Sequence, residues 1–239
     1  MYKNTNNISN EKEKTGSEEQ YERIQNIGSV ITGPKNKKIY CLTIIGEIEG
    51  HTYLPPESKT TKYEHVIPEL VAIEQDPKIS GLLLLLNTVG GDIEAGLAIA
   101  ELIAGMSKPT VSMVIGGGHS IGVPLAVCTD MSFIAKSATM TIHPVRTTGT
   151  TLGTYQSFEY IKRMQERIAN FVVQNSKISK KRFYELCMNT EELSLDIGTV
   201  IEGEQAVKEK IINKCGTLSE AISYLNNLKS CSGSNKIKN

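Results

Sequence analysis

The stretch from Leu82 to His143 decides the fold: LLLLLNTVGGDIEAGLAIAELIAGMSKPTVSMVIGGGHSIGVPLAVCTDMSFIAKSATMTIH. It contains three apolar runs, and each run ends at a turn that carries one kind of chemical group. The turns are the pair Gly90-Gly91, the triplet Gly116-Gly117-Gly118 leading to Ser120, and the end of Met140-Thr141-Ile142 leading to His143. A serine, a histidine and free backbone N–H donors at strand ends are the parts of a serine hydrolase, so the stretch predicts that chemistry.

The same stretch predicts the α/β class. Ile79–Asn87 is a continuous apolar run, typical of a strand buried on both faces, and Thr110–Ile115 is a second. Between them, Asp92 is placed to cap a helix whose apolar side chains repeat along one face. This alternation of buried strands and amphipathic helices indicates a sheet covered by helices.

Periodicity predicts further elements on both sides of the two buried strands. A strand is expected at Ile39–Ile45, with a bend away from it at Gly46–Gly50, and short strands at Met131–Ile134 and Thr139–Ile142. Helices are expected at Thr61–Gln75, from Ser120 to about Cys128, and at Thr154–Gln174, Ser179–Met188, Gly203–Lys210 and Thr217–Leu228.

Composition divides the chain of 239 residues into one domain and two polar ends. Residues 1–36 are rich in Asn, Lys, Glu and Ser and are predicted to be a disordered N-terminal segment. Residues 37–228 form the predicted domain, and residues 229–239 a disordered tail. The turn signal Gly33-Pro34-Lys35-Asn36 marks where the domain begins.

Charge and cysteine content exclude several classes of protein. The formal net charge is zero, which argues against a nucleic-acid partner. The cysteines are odd in number and none form a C-x-x-C pair, so we expect reduced thiols and no metal site. The N-terminus has no apolar signal-peptide core and no run approaches the ~18 residues of a membrane span, so a cytoplasmic protein without a transmembrane segment is expected. No P-loop is present, and no cofactor is predicted.

The segment Gly118-His119-Ser120-Ile121-Gly122 fits the pattern G-x-S-x-G, which in α/β-hydrolases places a nucleophilic serine on a sharp strand-to-helix turn. Alone the pattern is weak, because a serine before a helix often only caps it. Of the four histidines, His119 adjoins the serine and cannot face it, while His51 and His65 are expected at the surface. His143 ends a strand and is the best candidate for a base.

Chain order then tests the hydrolase pattern. An α/β-hydrolase carries its acid between the serine and the histidine. Only Asp130 lies between Ser120 and His143, in a gap too short for the strand–helix units that such a fold inserts. The acid must therefore follow His143, which excludes the ordinary α/β-hydrolase fold.

From Ile39 to about Leu228 the chain resembles the proteolytic subunit of Clp protease, the ClpP family of serine peptidases. The resemblance is carried by Asn87-Thr88-Val89-Gly90-Gly91-Asp92, by Gly116–Gly122 and by Met140–Pro144, in this order and spacing. GGGHSIG and TIHPVR make it similar to the translocation-enhancing branch of that family. The resemblance implies the ClpP/crotonase-like fold of repeated β-β-α units with a protruding handle helix, here Thr154–Gln174.

The resemblance also implies residue roles. Ser120 would be the nucleophile, His143 the general base, and the backbone N–H groups of Gly90 and Ile121 the oxyanion hole. The third member matches Asp196, although Glu191 or Glu192 could take its place. An extended peptide would pair with residues following the histidine; the expected substrate-binding residues are Gly91, Arg146, Thr147, Thr148 and Gly149.

Three functions follow as hypotheses. The first is a serine endopeptidase that cleaves peptides or unfolded proteins through an acyl-enzyme, assembled as a homo-oligomeric ring, with an ATP-driven unfoldase partner left open. The second is a crotonase-type acyl-CoA enzyme, which uses the same oxyanion amides with acidic side chains. The third is a scaffold in protein export. His119, where the family usually has a small residue, and Pro144 directly after His143 are departures from the family pattern.

Overall fold

The computed structural model describes residues 16–35, 37–147, 153–191 and 197–228. The first half of the described chain contains α1 (Gly16–Ile27), β1 (Ser29–Thr32), β2 (Lys38–Glu49), β3 (Thr60–Lys62), α2 (Tyr63–Gln75), β4 (Ile79–Gly91), α3 (Ile93–Ala104) and β5 (Thr110–Gly118). The second half contains α4 (Gly122–Val127), β6 (Met131–Ile134), β7 (Thr139–Ile142), α5 (Thr154–Asn175), α6 (Lys180–Cys187), β8 (Thr199–Glu202), α7 (Gly203–Lys208), β9 (Lys214–Cys215) and α8 (Leu218–Asn227).

The central sheet has the strand order β1-β2-β4-β5-β6-β9, with β3 beside the end of β2. Strands β2, β4, β5 and β6 are parallel, which confirms the predicted α/β class. In β2 and β4, the even-numbered side chains such as Leu42 and Leu84 are fully buried in a core that they share with α2 and α3. The odd-numbered side chains, such as Cys41 and Leu83, pack with Leu225 of α8 on the other face.

Two short strands, β7 and β8, branch from the main path of the central sheet at the end of β5. β7 pairs with β5 at the Gly117–Thr139 position, and β8 pairs antiparallel with β7 from Thr139–Glu202 to Ile142–Thr199. Because β7 is thereby attached to the end of β5, the residues that follow the two strands are brought to one edge of the fold.

Strand β2 is longer than predicted. The sequence suggests a bend at Gly46–Gly50, and the structure instead continues β2 to Glu49. Gly46 has a φ of +79° and lies at a register shift against β4, so glycine absorbs the irregularity within the strand. A Cβ at this position would lie 2.0 Å from the Lys59 carbonyl oxygen, which leaves no room for another residue type.

The N-terminal boundary also differs from the expectation. The prediction of disorder through residue 36 does not hold for α1 and β1, which are ordered and lie within residues 16–35. The side chain of Arg23 donates to the hydroxyl of the buried Tyr40 at 3.1 Å and to Glu69 at 2.9 Å, while β1 pairs antiparallel with β2. Residues 1–15 and the predicted tail 229–239 lie outside the described residues.

The first half of α5 projects from the body of the domain. No residue from Thr154 to Arg163 is buried, whereas Met164, Gln165 and Ala169 further along the helix are. Three aromatic side chains of the projecting half are strongly exposed: Tyr155 (72%), Phe158 (61%) and Tyr160 (54%). This exposure accords with the protruding helix that the family resemblance implies.

Candidate functional site

Ser120 occupies a sharp turn between β5 and α4. Its φ is +57°, a left-handed conformation that is uncommon for a residue other than glycine. The turn is closed by the Gly122 N–H donating to the His119 carbonyl at 2.8 Å, and the Ser120 N–H donates to the Thr141 carbonyl at 2.9 Å. A strained serine on a strand–turn–helix connection is the context in which G-x-S-x-G has chemical meaning.

His143 follows β7 directly and is partly buried. Its Nδ1 lies 2.7 Å from the Pro144 carbonyl oxygen. Because a carbonyl can only accept, Nδ1 must carry the hydrogen, which in the neutral ring leaves Nε2 as the basic nitrogen. The next residue, Val145, donates its N–H to Oε1 of the buried Gln165 on α5 at 2.8 Å, so the segment after His143 is held against that helix.

Ser120 and His143 line one cavity of about 160 Å³ at the edge of the fold. Most of the remaining lining is apolar: Ile93, Ile121, Val123, Ile142, Pro144, Val145, Ile168 and Phe183, with Gly91 and Arg146 completing it. No Asp or Glu of the described residues lines it. The described part of the chain contains no hydrogen bond between the Ser120 hydroxyl and the His143 ring, although both residues line this cavity.

The two glycines at the end of β4 have different surroundings. The Gly90 N–H, predicted as an oxyanion donor, instead donates to Oγ1 of the buried Thr88 at 3.0 Å, and Gly90 does not line the cavity. A Cβ on Gly90 would lie 2.6 Å from Cβ of Ser120, so this glycine makes room for the serine. Gly91, with a φ of +143°, is the glycine that lines the cavity.

Ile121 provides the other predicted donor. Its N–H stands at the beginning of α4 and has no acceptor among the described residues, whereas the neighbouring amides of Ser120 and Gly122 are both hydrogen-bonded. Its side chain is buried and also lines the cavity. An unpaired amide next to a serine hydroxyl is an arrangement that can stabilise an oxyanion.

The position of the acid falls largely outside the described residues, which omit Glu192 and Asp196. Glu191 is described and is exposed. The described chain resumes just before Gly198, which packs so closely on β7 that a Cβ there would lie 2.8 Å from Cβ of His143.

The predicted peptide-binding residues are divided in the same way. Arg146 lines the cavity and Thr147 is exposed immediately after it, while Thr148 and Gly149 lie outside the described residues. From Pro144 to Thr147 the described chain forms neither helix nor strand. It passes from the cavity wall to the surface, where a ligand could reach its backbone.

His119 has a contact that the sequence did not reveal. Its Nδ1 lies 2.8 Å from Oγ1 of Thr141 on β7, and burial together with the charge of His143 lowers the pKa of His119 below its usual value. Adjacency to Ser120 identified His119 as a residue unable to face the serine, but only the pairing of β7 with β5 brings Thr141 to it. The surface positions predicted for His51 and His65 are confirmed.

The described residues hold no group of three or more potential metal ligands. Cys41, Cys128, Cys187 and Cys215 form no disulfide among the described residues, and burial raises the pKa of Cys41 to about 11 and of Cys187 to about 12, which makes both poor nucleophiles. Within the described part of the chain, no helix has the length and apolar character needed to cross a bilayer.

Comparison with known proteins covers the whole of this site. A family model described as Clp protease matches residues 36–217, a range that includes Ser120 and His143. The chain is also 54% identical over 208 residues to the translocation-enhancing protein TepA of Halalkalibacterium halodurans, a match that covers 87% of this chain and 81% of the relative. The family indicated by the sequence motifs is thus the family found by both comparisons.

Proposed function

The chain belongs to the Clp protease family, and we propose that it is a serine endopeptidase that hydrolyses peptides or unfolded proteins through an acyl-enzyme. One observation carries the proposal: a serine with a φ of +57° and a histidine that follows a neighbouring strand line the same cavity. Backbone strain of this kind at a serine that lines a cavity is typical of a nucleophile.

In the proposed reaction, Nε2 of His143 accepts the proton of the Ser120 hydroxyl as Oγ attacks the carbonyl carbon of the substrate. The tetrahedral intermediate then collapses, and the imidazolium gives its proton to the leaving amine, which departs and leaves an acyl-serine. Water, activated by the same nitrogen, hydrolyses the ester. Because the two side chains are not hydrogen-bonded, we expect the pair to close when substrate or assembly orders the site.

We propose Gly91 and Ile121, rather than Gly90 and Ile121, as the oxyanion donors. Thr88 already accepts the Gly90 N–H, whereas Gly91 and Ile121 both line the cavity. The Asp92 N–H donates to the carbonyl oxygen of Ile48 on β2. Because successive amides of a strand point in opposite directions, the Gly91 N–H is directed away from β2.

For the third member we propose Asp196. The chain returns to His143 at Gly198, two residues later, and a carboxylate arriving there would share the Nδ1 hydrogen with the Pro144 carbonyl. Its role would be to orient the ring and to stabilise the imidazolium. Glu191, which is exposed, is a weaker candidate.

The cavity and the helix α5 support the rest of the proposal. The apolar lining suits an apolar substrate side chain next to the scissile bond, and the backbone from Pro144 to Thr147 suits pairing with an extended peptide. The exposed aromatic side chains on the first half of α5 suit contact with a second copy, and we propose a homo-oligomeric ring. An unfoldase partner remains open to experiment.

The test is active-site labelling with a fluorophosphonate probe combined with hydrolysis of a fluorogenic peptide. Ser120→Ala is expected to abolish labelling, and His143→Ala to lower both labelling and kcat by at least about 10³-fold. Ser107→Ala and His65→Ala change an exposed serine and an exposed histidine away from the cavity and serve as matched controls. A folded wild-type protein that neither reacts nor cleaves would contradict the proposal.

A second candidate is a role in protein export that does not use this chemistry. It is favoured by the missing hydrogen bond between Ser120 and His143 in the described chain and by the name of the relative, a translocation-enhancing protein. Secretion in a strain that carries Ser120→Ala distinguishes the two. Normal secretion with the variant, and reduced secretion without the protein, would favour the export role.

A further inference from the structure

His119 lies beside the cavity without entering it. Its ring is partly buried on the side of β7 and does not contribute to the cavity lining. Gly117 makes room for it, because a Cβ at that position would lie 2.6 Å from Nε2 of His119. The ring is therefore enclosed between the end of β5 and the strand that leads to His143.

Thr141 makes two separate hydrogen bonds to the serine turn. Its carbonyl accepts the Ser120 N–H at 2.9 Å, and its hydroxyl is paired with Nδ1 of His119 at 2.8 Å. Two consecutive residues of the turn are thus tied to a single residue of β7, and that residue stands two positions before His143. One tie is made by the backbone and persists with any residue type, whereas the other depends on the histidine and the threonine.

We propose that His119 is a positioning residue, whose hydrogen bond to Thr141 fixes the strained serine turn relative to the strand that carries His143. This inference rests on the proposed peptidase function. A left-handed serine costs free energy, so the turn tends to relax unless neighbouring contacts hold it. Relaxation would move Ser120 Oγ relative to His143, and misplacements of about 1 Å can cost on the order of 10² in rate.

The charge state of the ring agrees with this role. Burial and the charge of His143 lower the pKa of His119, which keeps the ring neutral near pH 7. A neutral ring can hold the Thr141 hydroxyl without placing a second positive charge beside the imidazolium that forms on His143 during the reaction.

The first test is kinetic. His119→Ala and Thr141→Val should each slow fluorophosphonate labelling of Ser120 and lower kcat about ten-fold or more with KM little changed. The double variant should be no slower than the single ones. His119→Asn and Thr141→Ser, which keep a hydrogen-bonding group, should remain within about three-fold of wild type. Labelling of folded His119→Ala at the wild-type rate, or additive losses in the double variant, would overturn the inference.

The second test does not require activity. Hydrogen exchange of the Ser120 amide, followed in a peptide that spans the turn, should become faster in His119→Ala and Thr141→Val and stay unchanged in Thr141→Ser. Unchanged protection in both disruptive variants would refute the positioning role. If the wild type is not labelled at all, the peptidase proposal fails, while exchange still decides whether His119 holds the turn.

Discussion

The Nδ1 atom of His143 lies 2.7 Å from the carbonyl oxygen of Pro144, its own neighbour in the chain. The carbonyl group of the next residue therefore orients the ring, without a carboxylate from elsewhere in the chain. Since the carbonyl can only accept, the contact selects the tautomer in which Nε2 is basic. The acid proposed for this site, Asp196, would therefore contribute less than an acid that is the only hydrogen-bond partner of its histidine.

The first prediction concerns that acid. Asp196→Asn should lower kcat by about 10–10²-fold, less than the ~10⁴-fold known for the equivalent change where only the carboxylate sets the tautomer. Glu191→Gln and Glu192→Gln should leave kcat close to wild type. Steady-state peptide hydrolysis measures all three, and a loss confined to either glutamate variant would transfer the role from Asp196.

The second prediction concerns the close approach of Gly90 to Ser120. Gly90→Ala should lower fluorophosphonate labelling at least about 10²-fold, because the new Cβ would lie 2.6 Å from Cβ of Ser120 and the φ of +98° disfavours alanine. Gly105→Ala is the matched control: its φ is −85° and the nearest atom to a Cβ is 3.4 Å away. Equal labelling of the two variants would show that Gly90 does not shape the site.

The third prediction concerns substrate preference. Peptides with leucine, methionine or phenylalanine before the scissile bond should be cleaved with a kcat/KM at least about 10²-fold higher than peptides with aspartate there. The reason is the apolar lining, to which Val123, Ile168 and Phe183 contribute. Hydrolysis rates across a set of fluorogenic peptides that differ at this one position measure it. Preference for an acidic residue would mean that another surface receives the side chain.

The fourth prediction concerns pH. The pKa of His119 in the folded chain lies below its unfolded value of about 6.5, so the unfolded chain binds more protons as the pH falls between these two values. The stability that neutral His119 contributes is complete above pH 6.5 and is lost as the pH falls toward the folded pKa. Thermal unfolding at pH 8 and pH 5 should show the difference between wild type and His119→Asn shrinking at the lower pH.

His143, whose charge also lowers the pKa of His119, is present in both chains, so the effect of His119 has to be measured without it. Wild type and His119→Asn in a His143→Ala background provide the control. A stability difference that stays constant from pH 8 to pH 5 in this pair would contradict the assignment of the titration to His119.

The fifth prediction concerns the N-terminal helix. Arg23→Met should lower the free energy of unfolding by about 1–2 kcal/mol, because Glu69 and the hydroxyl of Tyr40 lose a charged donor. The corresponding fall in Tm is about 2–8 °C in a domain of this size. Lys181→Met is the control, since its 3.9 Å pair with Glu185 is largely exposed and should contribute almost nothing. Identical unfolding temperatures would show that α1 is not anchored by Arg23.

Much of the fold was predictable because local signals and burial agree. The prediction that Asp92 caps α3 is confirmed by its side chain accepting the Ala95 N–H at 2.8 Å. Ser179 and Thr217 cap α6 and α8 close to the predicted starts. The buried strand predicted from Ile79 begins at that residue. Four of the five leucines from Leu82 to Leu86 are buried, which requires that both faces of the strand are covered.

The features that the sequence did not predict have a common cause: they depend on tertiary contacts, which local composition does not reveal. Residues 16–35 are mostly polar, yet Arg23 donates hydrogen bonds to Tyr40 on β2 and Glu69 on α2, and β1 pairs with β2. In the candidate site, spacing identified Ser120 and His143, which line one cavity. It could not show which of two adjacent glycine amides is taken by Thr88, nor that Thr141 lies beside His119.

The left-handed backbone conformation at Ser120 lowers the stability of the fold but is proposed to serve catalysis. Glycine at this position would relieve on the order of 1–2 kcal/mol of torsional strain, so a library screened for heat resistance alone should recover Ser120→Gly. That variant would be more stable and, if the serine is the nucleophile, catalytically inactive. Selection for thermal stability would therefore have to exclude substitutions at this left-handed serine.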